Sequence, residues 1–394
     1  ECRLPLLSRF PLLPQVDCRQ THTTGDVHRL IRENLHRAPM FSGQIESVGP
    51  RYCPSIEDKV VRFADREQHG VYLEPESLRD DWVYCNGIST SLPADVQDAI
   101  VRGMPGCERA EILRYGYAVE YDMVLPHQIH ATGEAKLAGG LFLAGQINGT
   151  SGYEEAAAQG LVAGINAARR ARGEGEFVLG RDQAYIGVLM DDLVTKTPRE
   201  PYRMFTSRAE HRLLLRADNA ADRLTPVAES LGLLGTTALG RLRLERFRER
   251  RRQAERLRGI VDAGRVPGGG ALEKRVRTAG YTERDLAADA AAVEPSARFR
   301  EDVVYSVWAD RRYEHYVKRA LADIRRAREM EPRRVPEGVL REAHLAPMRA
   351  EARQALLRFR PATFGQASRL EGMTPADMTL LSVLVEKSRR AGAR

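Results

Sequence analysis

Three hundred and ninety-four residues exceed one ordinary domain, and 43% hydrophobic with 29% charged residues is a globular balance that excludes disorder or a fibrous repeat as the main description. Lys plus Arg at 61 against Asp plus Glu at 54 leaves +7, and the excess is concentrated: residues 241–258 hold nine Arg and three Glu, a stripe that favours a polyanion partner. The five Cys form no C-x-x-C, so no zinc ribbon or thioredoxin-type site is written, and no apolar run reaches the ~18 residues of a membrane span. A reducing, cytoplasmic compartment is the simplest setting for such cysteines. The opening ECRLPLLSRFPLLPQ is broken by proline and lacks a charged leader, so it is a poor signal peptide. The chain begins with Glu and reads as starting inside a longer reading frame.

Helical periodicity predicts helices over 26–35 and 95–101. Runs at 70–73, 110–119 and 141–144 read as strands between Gly, Pro and Asn turns. Residues 49–63 read GPRYCPSIEDKVVRF, where Pro54 suits a first helical turn that also holds Glu57 and Asp58. Cys53 then lies just before a helix N-terminus with Arg51 near it, and both favour the thiolate. Such a thiolate can add to an electron-poor ring carbon. A buried, inert cysteine is the alternative reading.

Residues 140–168 read GLFLAGQINGTSGYEEAAAQGLVAGINAA: a buried strand, a glycine-rich turn and an alanine-rich helix. Gly145, Gly149 and Gly152 permit a tight turn and close approach to a ligand. Glu154 and Glu155 fall in the first helical turn, where carboxylates complement the helix dipole. The free N–H groups there suit a phosphate or a flavin carbonyl. Gln146 and Asn148 add polar groups at the strand's C-terminal end, where open α/β sheets take ligands. Ala156 to Ala158, Gly160, Ala163 and Gly164 make a thin helix face suited to a sheet or cofactor. A close-packed turn with no ligand stays open as the alternative. No G-x-G-x-x-G follows an N-terminal strand, and the glycines at 268–270 follow no strand.

From about residue 184 onward the chain reads mainly as helices, with apolar spacing through Leu242, Leu244, Phe247, Ala254 and Leu257. Segments 265–270 and 332–336 are breakers, the second setting off a final small unit. EPYRMFTSRAEHR supplies Arg203, Arg208 and Arg212, whose guanidinium groups can grip phosphate and stack on bases. On a helix Arg208 and Arg212 share a face, and intramolecular pairing with Glu200 and Glu210 weighs equally. For the Arg-rich run 241–258, a solvated helix with internal ion pairs is the default and a polyanion-facing surface the second choice. Tyr313, Tyr316 and Ile324 fall on a helix. Residues 364–370 and 373–384 read as two short helices split by Gly372 and Pro375, with Thr374 as N-cap and Asp377 at N3. This end is a docking module or a structural cap.

GPRYCPSIEDKVVRF and AGQINGTSGYEEAAAQGLVAGINA resemble the two signature segments of the MnmG/GidA family, the FAD-dependent tRNA uridine 5-carboxymethylaminomethyl modification enzymes. NGISTSL at 86–92, EPYRMFTSRAEHRLLL at 200–215 and PATFGQASRL at 361–370 agree in the family's order. The resemblance implies an α/β plus all-α chain, with a partial glutathione-reductase-like FAD domain followed by a helical region. Its implied units are residues 1–20 (tail of an inserted NADH-binding domain), 21–180 (C-terminal part of the FAD domain), 181–334 (helical domain) and 335–394 (docking unit for tRNA and partner).

It further implies that Gly49, Pro50, Arg51, Tyr52, Cys53, Pro54, Ser55, Ile56, Glu57, Asp58 and Lys59 belong to the NADH stretch. Gly145, Gln146, Asn148, Gly149, Gly152, Tyr153 and Glu154 belong to the FAD site, with Gln146 in contact. Cys53 acts on the uracil ring, and Arg203, Arg208 and Arg212 serve tRNA. The implied activity places a carboxymethylaminomethyl group on C5 of the wobble uridine. It uses FAD, NADH and methylene-tetrahydrofolate, in a cytoplasmic, non-membrane homodimer working with the GTPase MnmE. The chain resembles the family from its middle onward: the first G-x-G-x-x-G half is absent, and His211 stands where the family has Tyr. A chain that binds tRNA or the partner but not flavin is the alternative, and a small-molecule flavin oxidoreductase is a third.

Overall fold

A computed structural model describes residues 14–39, 41–43, 55–196, 201–265, 269–330 and 333–392. Strands β1 (Arg19–His22), β2 (Gly70–Pro75) and β3 (Val83–Asn86) make a three-stranded antiparallel sheet in that order. Val71 turns inward while Tyr72 and Tyr84 face out, as strand alternation requires. Helices α1 (Gly25–Glu33), α2 (Ile56–Arg62) and α3 (Ala94–Arg102) close the inner side. Val27, Ile31, Ile56, Val60, Leu92, Ile100 and Met104 fill that core. Thr24 caps α1, its Oγ1 accepting from the Val27 N–H at 3.3 Å. β1 straddles the boundary expected at residue 20, because its ladder to β2 already begins at Arg19.

Two expected strands are absent. Residues 110–119 are irregular and carry no ladder; the Gln97 side chain satisfies Gly116 instead: Nε2 donates to its carbonyl at 2.9 Å and Oε1 accepts its N–H at 2.7 Å. Residues 141–144 keep a single bridge, Glu134 to Phe142, within a tight hairpin. Periodicity reads such runs as strands, but a strand needs a continuous ladder, and here the described residues provide one isolated bridge at 142 and none along 110–119.

Beyond α4 (Tyr153–Ala171) the chain is helical. Helix α5 (Tyr185–Thr195) is almost wholly buried. Helices α6 (Ala220–Ser230), α7 (Ala238–Ala263), α8 (Leu272–Val276), α9 (Glu283–Val293) and α10 (Glu301–Met330) follow. Leu257, Val261, Leu272, Val276, Leu286 and Val303 make the common core of α7 to α10. Leu244, Phe247, Ala254 and Leu257 point inward as their spacing predicts, but Leu242 is 40% exposed, one position off the stripe.

Four of the nine arginines of α7 pair with acids on or beside neighbouring helices. Arg250, only 2% exposed, reaches Asp222 on α6 and Asp302 on α10. Arg248 pairs with Glu229, Arg256 with Glu294 and Arg258 with Asp310. Arg251–Glu255 and Arg252–Glu249 lie within the helix. Two of the expected internal ion pairs form, and the other pairs tie α7 to its neighbours.

A last unit holds α11 (Glu342–Leu345), α12 (Ala350–Phe359), α13 (Phe364–Arg369) and α14 (Pro375–Gly392) around Leu345, Leu356, Phe364, Leu381 and Val385. Thr374 and Asp377 form the expected reciprocal cap: the Asp377 N–H donates to Thr374 Oγ1 at 3.3 Å and the Thr374 N–H to Asp377 Oδ2 at 2.9 Å. No described helix is long and apolar enough to cross a membrane.

Candidate functional site

The glycine segment forms a 3-10 turn, Gly145–Asn148, leading into α4. Gly145 and Gly149 stand at φ 84° and 78°, the left-handed region that glycine enters without strain. Gln159, further along α4, holds the bend: its Oε1 accepts from Asn148 Nδ2 at 2.8 Å and from the Gly145 N–H at 3.2 Å. Its Nε2 donates to Thr150 Oγ1 at 2.9 Å. The turn presents Gln146, Tyr153 (94% exposed) and Glu154 to solvent, while Asn148, Gly149 and Gly152 are buried. On α4, Ala163 packs against the 133–143 hairpin, whereas Gly160 and Gly164 face open space. The helix begins at Gly152 with no side-chain cap.

Two polar atoms at this end are buried without a hydrogen-bond partner, Asn148 Oδ1 and Glu155 Oε2. An uncapped helix end, left-handed glycines and these two atoms suit the polar edge of a flavin, with Gln146 free to reach it. One cleft, of about 250 Å³, opens at the other end of α4, between Glu134, Asn166 and Arg170.

Segment 202–204 is laced onto this turn. The Tyr202 N–H donates to the Gly149 carbonyl at 2.8 Å, and the Ser151 N–H donates to the Tyr202 carbonyl at 3.2 Å. The Met204 N–H donates to Glu155 Oε1 at 2.9 Å. Arg203, half-buried, stands 3.7 Å from the same carboxylate. Arg208 lies over the Tyr202 ring, 4.5 Å from its centroid, and Arg212 is exposed.

The shared helical face expected for Arg208 and Arg212 does not form. Thr206–Arg208 is a short 3-10 turn and further turns follow it, because the segment is pinned to the glycine turn and to Arg181. The expected pairing with Glu210 is also overturned, for that carboxylate is taken by Arg181. Glu200 lies outside the described residues.

Arg181, Asp191 and Asp192, which the motifs do not mark, form a buried ion-pair node behind this segment. The Arg181 Nη1 donates to Asp191 Oδ2 at 3.0 Å and to Asp192 Oδ1 at 2.8 Å, and its Nε donates to Glu210 Oε1 at 2.8 Å. Burial opposes the guanidinium charge, but Glu210, Asp191 and Asp192 hold its pKa above the ordinary value. Asp192 also accepts from Lys196 Nζ at 2.8 Å and from the Tyr202 hydroxyl at 3.0 Å. Burial first and Asp192 second push the Tyr202 phenol up, so it stays a neutral donor. A signal existed: two consecutive Asp inside the apolar helix YIGVLMDDLVT demand cationic partners.

Of the NADH stretch, Gly49, Pro50, Arg51, Tyr52, Cys53 and Pro54 lie outside the described residues. Ser55 is the N-cap of α2, so the helix starts after the position expected for Pro54. Ile56 enters the core, and Lys59 Nζ donates to the Gly87 carbonyl at 2.8 Å. Glu57, fully buried, takes the Ser91 N–H at 2.9 Å through Oε1, while its Oε2 has no partner. These side chains are thus turned inward by packing against the 86–92 loop, and Asp58 alone of the four is half-exposed without such a tie.

The fold and this site define a mixed α/β module with a glycine turn at a helix end, followed by helical bundles that reach back to that turn. Two family models match the chain: "Glucose inhibited division protein A" over residues 8–175 and "tRNA modifying enzyme MnmG/GidA C-terminal helical bundle" over residues 323–394. The chain belongs to the MnmG/GidA family. It is 50% identical to the tRNA uridine 5-carboxymethylaminomethyl modification enzyme MnmG of Roseiflexus sp. (strain RS-1), a match covering 98% of this chain and 58% of that protein. To the enzyme of the same name from Streptococcus thermophilus (strain ATCC BAA-491 / LMD-9) it is 46% identical, over 96% and 62%. The form II crystal structure of Aquifex aeolicus GidA superposes with a TM-score of 0.80 at 40% identity, over 95% of this chain and 59% of that one. The chain therefore spans about three-fifths of the length of the relatives it matches.

Proposed function

We propose that this chain is part of a tRNA-modifying flavoenzyme that builds a carboxymethylaminomethyl group on C5 of the wobble uridine. The supporting observation is the lacing of segment 202–204 onto the 149–155 turn. It makes the flavin-edge turn and the arginine-bearing segment one assembly, as an enzyme acting on RNA beside a flavin requires. FAD, when bound, supplies the redox chemistry, with NADH as its reductant and methylene-tetrahydrofolate as the one-carbon source. The chain's own part is to hold and orient. The α4 end and Gln146 fix the flavin edge, and Arg203, Arg208 and Arg212 hold the RNA backbone or stack on its bases.

Cys53 is the proposed nucleophile. Its sulfur bonds to C6 of the uracil, the ring's double-bond electrons move to C5 and the adjacent carbonyl, and C5 then bonds to the one-carbon electrophile. Loss of the C5 proton and expulsion of the thiolate restore the ring. The family's GTPase partner MnmE, a homodimer and the cytoplasm complete the reading.

Titrating the purified chain with FAD while following the visible flavin band, and with tRNA by gel retardation, tests it. Both bind if the reading is right. A colourless protein that still retards tRNA favours the second reading, a binding chain without flavin. For the nucleophile, Cys53→Ser keeps fold and flavin but abolishes the wobble-uridine product. Undiminished product in that variant ends Cys53's role.

A further inference from the structure

The last helical unit meets the rest of the chain at a second ion pair on the same acidic node. Arg369, at the end of α13, donates from Nε to Asp191 Oδ2 and from Nη2 to Asp191 Oδ1, both at 2.7 Å, a two-pronged clamp 178 residues away in sequence. Asp191 shares Arg181 with Asp192, Asp192 accepts from the Tyr202 hydroxyl, and the Tyr202 N–H is bonded to the Gly149 carbonyl. Each of these carboxylates is nearly sealed from water, so losing a partner cannot be made good by solvent.

Arg181 also donates to the Arg208 carbonyl at 3.3 Å and to Glu210, so the same node holds the arginine-bearing segment. A second tie, Lys136 Nζ to the Phe359 carbonyl at 2.6 Å, joins the 133–143 hairpin to the end of α12.

We propose that Arg369, Asp191, Arg181, Asp192 and Tyr202 form a positioning relay through which the seating of the last helical unit sets the geometry of the 149–152 turn. This rests on reading that turn as the flavin edge. None of the five touches the reacting atoms; Tyr202 is the positioning residue at the turn, and Arg369 is the input. When the last unit shifts, Asp191 loses its outer cation and draws on Arg181. Arg181 is then shared differently with Asp192, and Asp192 releases or tightens Tyr202. A partner or RNA that moves the last unit thereby changes how firmly the turn is held.

The test is backbone hydrogen exchange on the 394-residue chain, with and without Arg369→Met, read at the Ser151, Tyr202 and Met204 amides. Their exchange rises by about fivefold or more in the variant, while amides of the β1–β2 sheet stay unchanged. Arg349→Met, which breaks the Arg349–Asp377 pair inside the last unit without touching Asp191, leaves the three amides at wild-type rates. If Arg369→Met fails to fold, Arg369→Lys replaces it, with a smaller rise of roughly twofold. Unmoved amides in the Arg369 variant, or an equal rise in Arg349→Met, overturn the relay. FAD titration of the same proteins separates the two claims. A wild-type chain that binds no flavin defeats the functional reading and leaves the exchange result to decide the relay, whereas bound flavin with unmoved amides defeats the relay alone.

Discussion

Gly152 carries a different constraint from its neighbours in the turn. Its φ of −103° suits any residue, but a methyl group there would sit 1.5 Å from Glu155 Oε2 and 2.8 Å from Arg203 Nη1. The glycine is needed for room, because the Glu155 carboxylate folds back over it to take the Met204 N–H. Gly152→Ala expels that carboxylate and costs about 1–3 kcal/mol in urea unfolding, with faster exchange at Met204. Gly160→Ala, on the same helix with nothing within 4 Å, gains about 0.5–1 kcal/mol, since alanine is the better helix former. Equal effects of the two changes would refute the steric account. That Gly145, Gly149 and Gly152 bracket a turn is legible in the motif. That one of the three serves a carboxylate is not, because the partner at Met204 is 49 positions removed from Glu155.

At the level of elements, α7 shows how a charge run reads differently in sequence and in space. Its nine arginines suggest a polyanion surface, yet four are anchored to acids on α6, on α10 or near α9 and two more pair within the helix. Arg250 is the extreme case, a buried guanidinium between Asp222 and Asp302 that also donates to the Asp218 carbonyl at 3.0 Å. Arg250→Met removes the cation from two carboxylates and destabilises the helical domain by about 3–5 kcal/mol, measurable by chemical denaturation. The exposed Arg243→Met changes stability by less than about 0.5 kcal/mol. An Arg250 variant as stable as wild type would mean that the buried cluster contributes nothing net. The runs at 110–119 and 141–144 teach the same point: apolar and β-prone residues raise the expectation of a strand, but ladder partners are a property of the assembled sheet.

For the molecule as a whole, on the proposed reading the arginines that would meet RNA are those whose charge no carboxylate takes up. Arg212 is exposed, and Arg208 keeps a solvent-facing guanidinium stacked on Tyr202. Replacing Arg208 and Arg212 by Ala lowers the slope of log affinity for tRNA against log salt by about one for each phosphate that is no longer gripped. Wild-type affinity and slope in the double variant would move the RNA site elsewhere, the exposed edge of α7 at Arg243 and Arg246 being the next candidate.

The sequence by itself determined the family, the order of α/β and helical parts, the glycine turn before α4 and the Thr374–Asp377 cap, because each depends on residues close together in the chain. Only the tertiary structure decided that Arg208 and Arg212 share no helix face, that Arg181 rather than the motif arginines holds Glu210, and that Arg369 reaches Asp191. These are charge pairings over 29 and 178 positions, and a carboxylate chooses its cation by distance in space, under a burial penalty that local spacing does not encode.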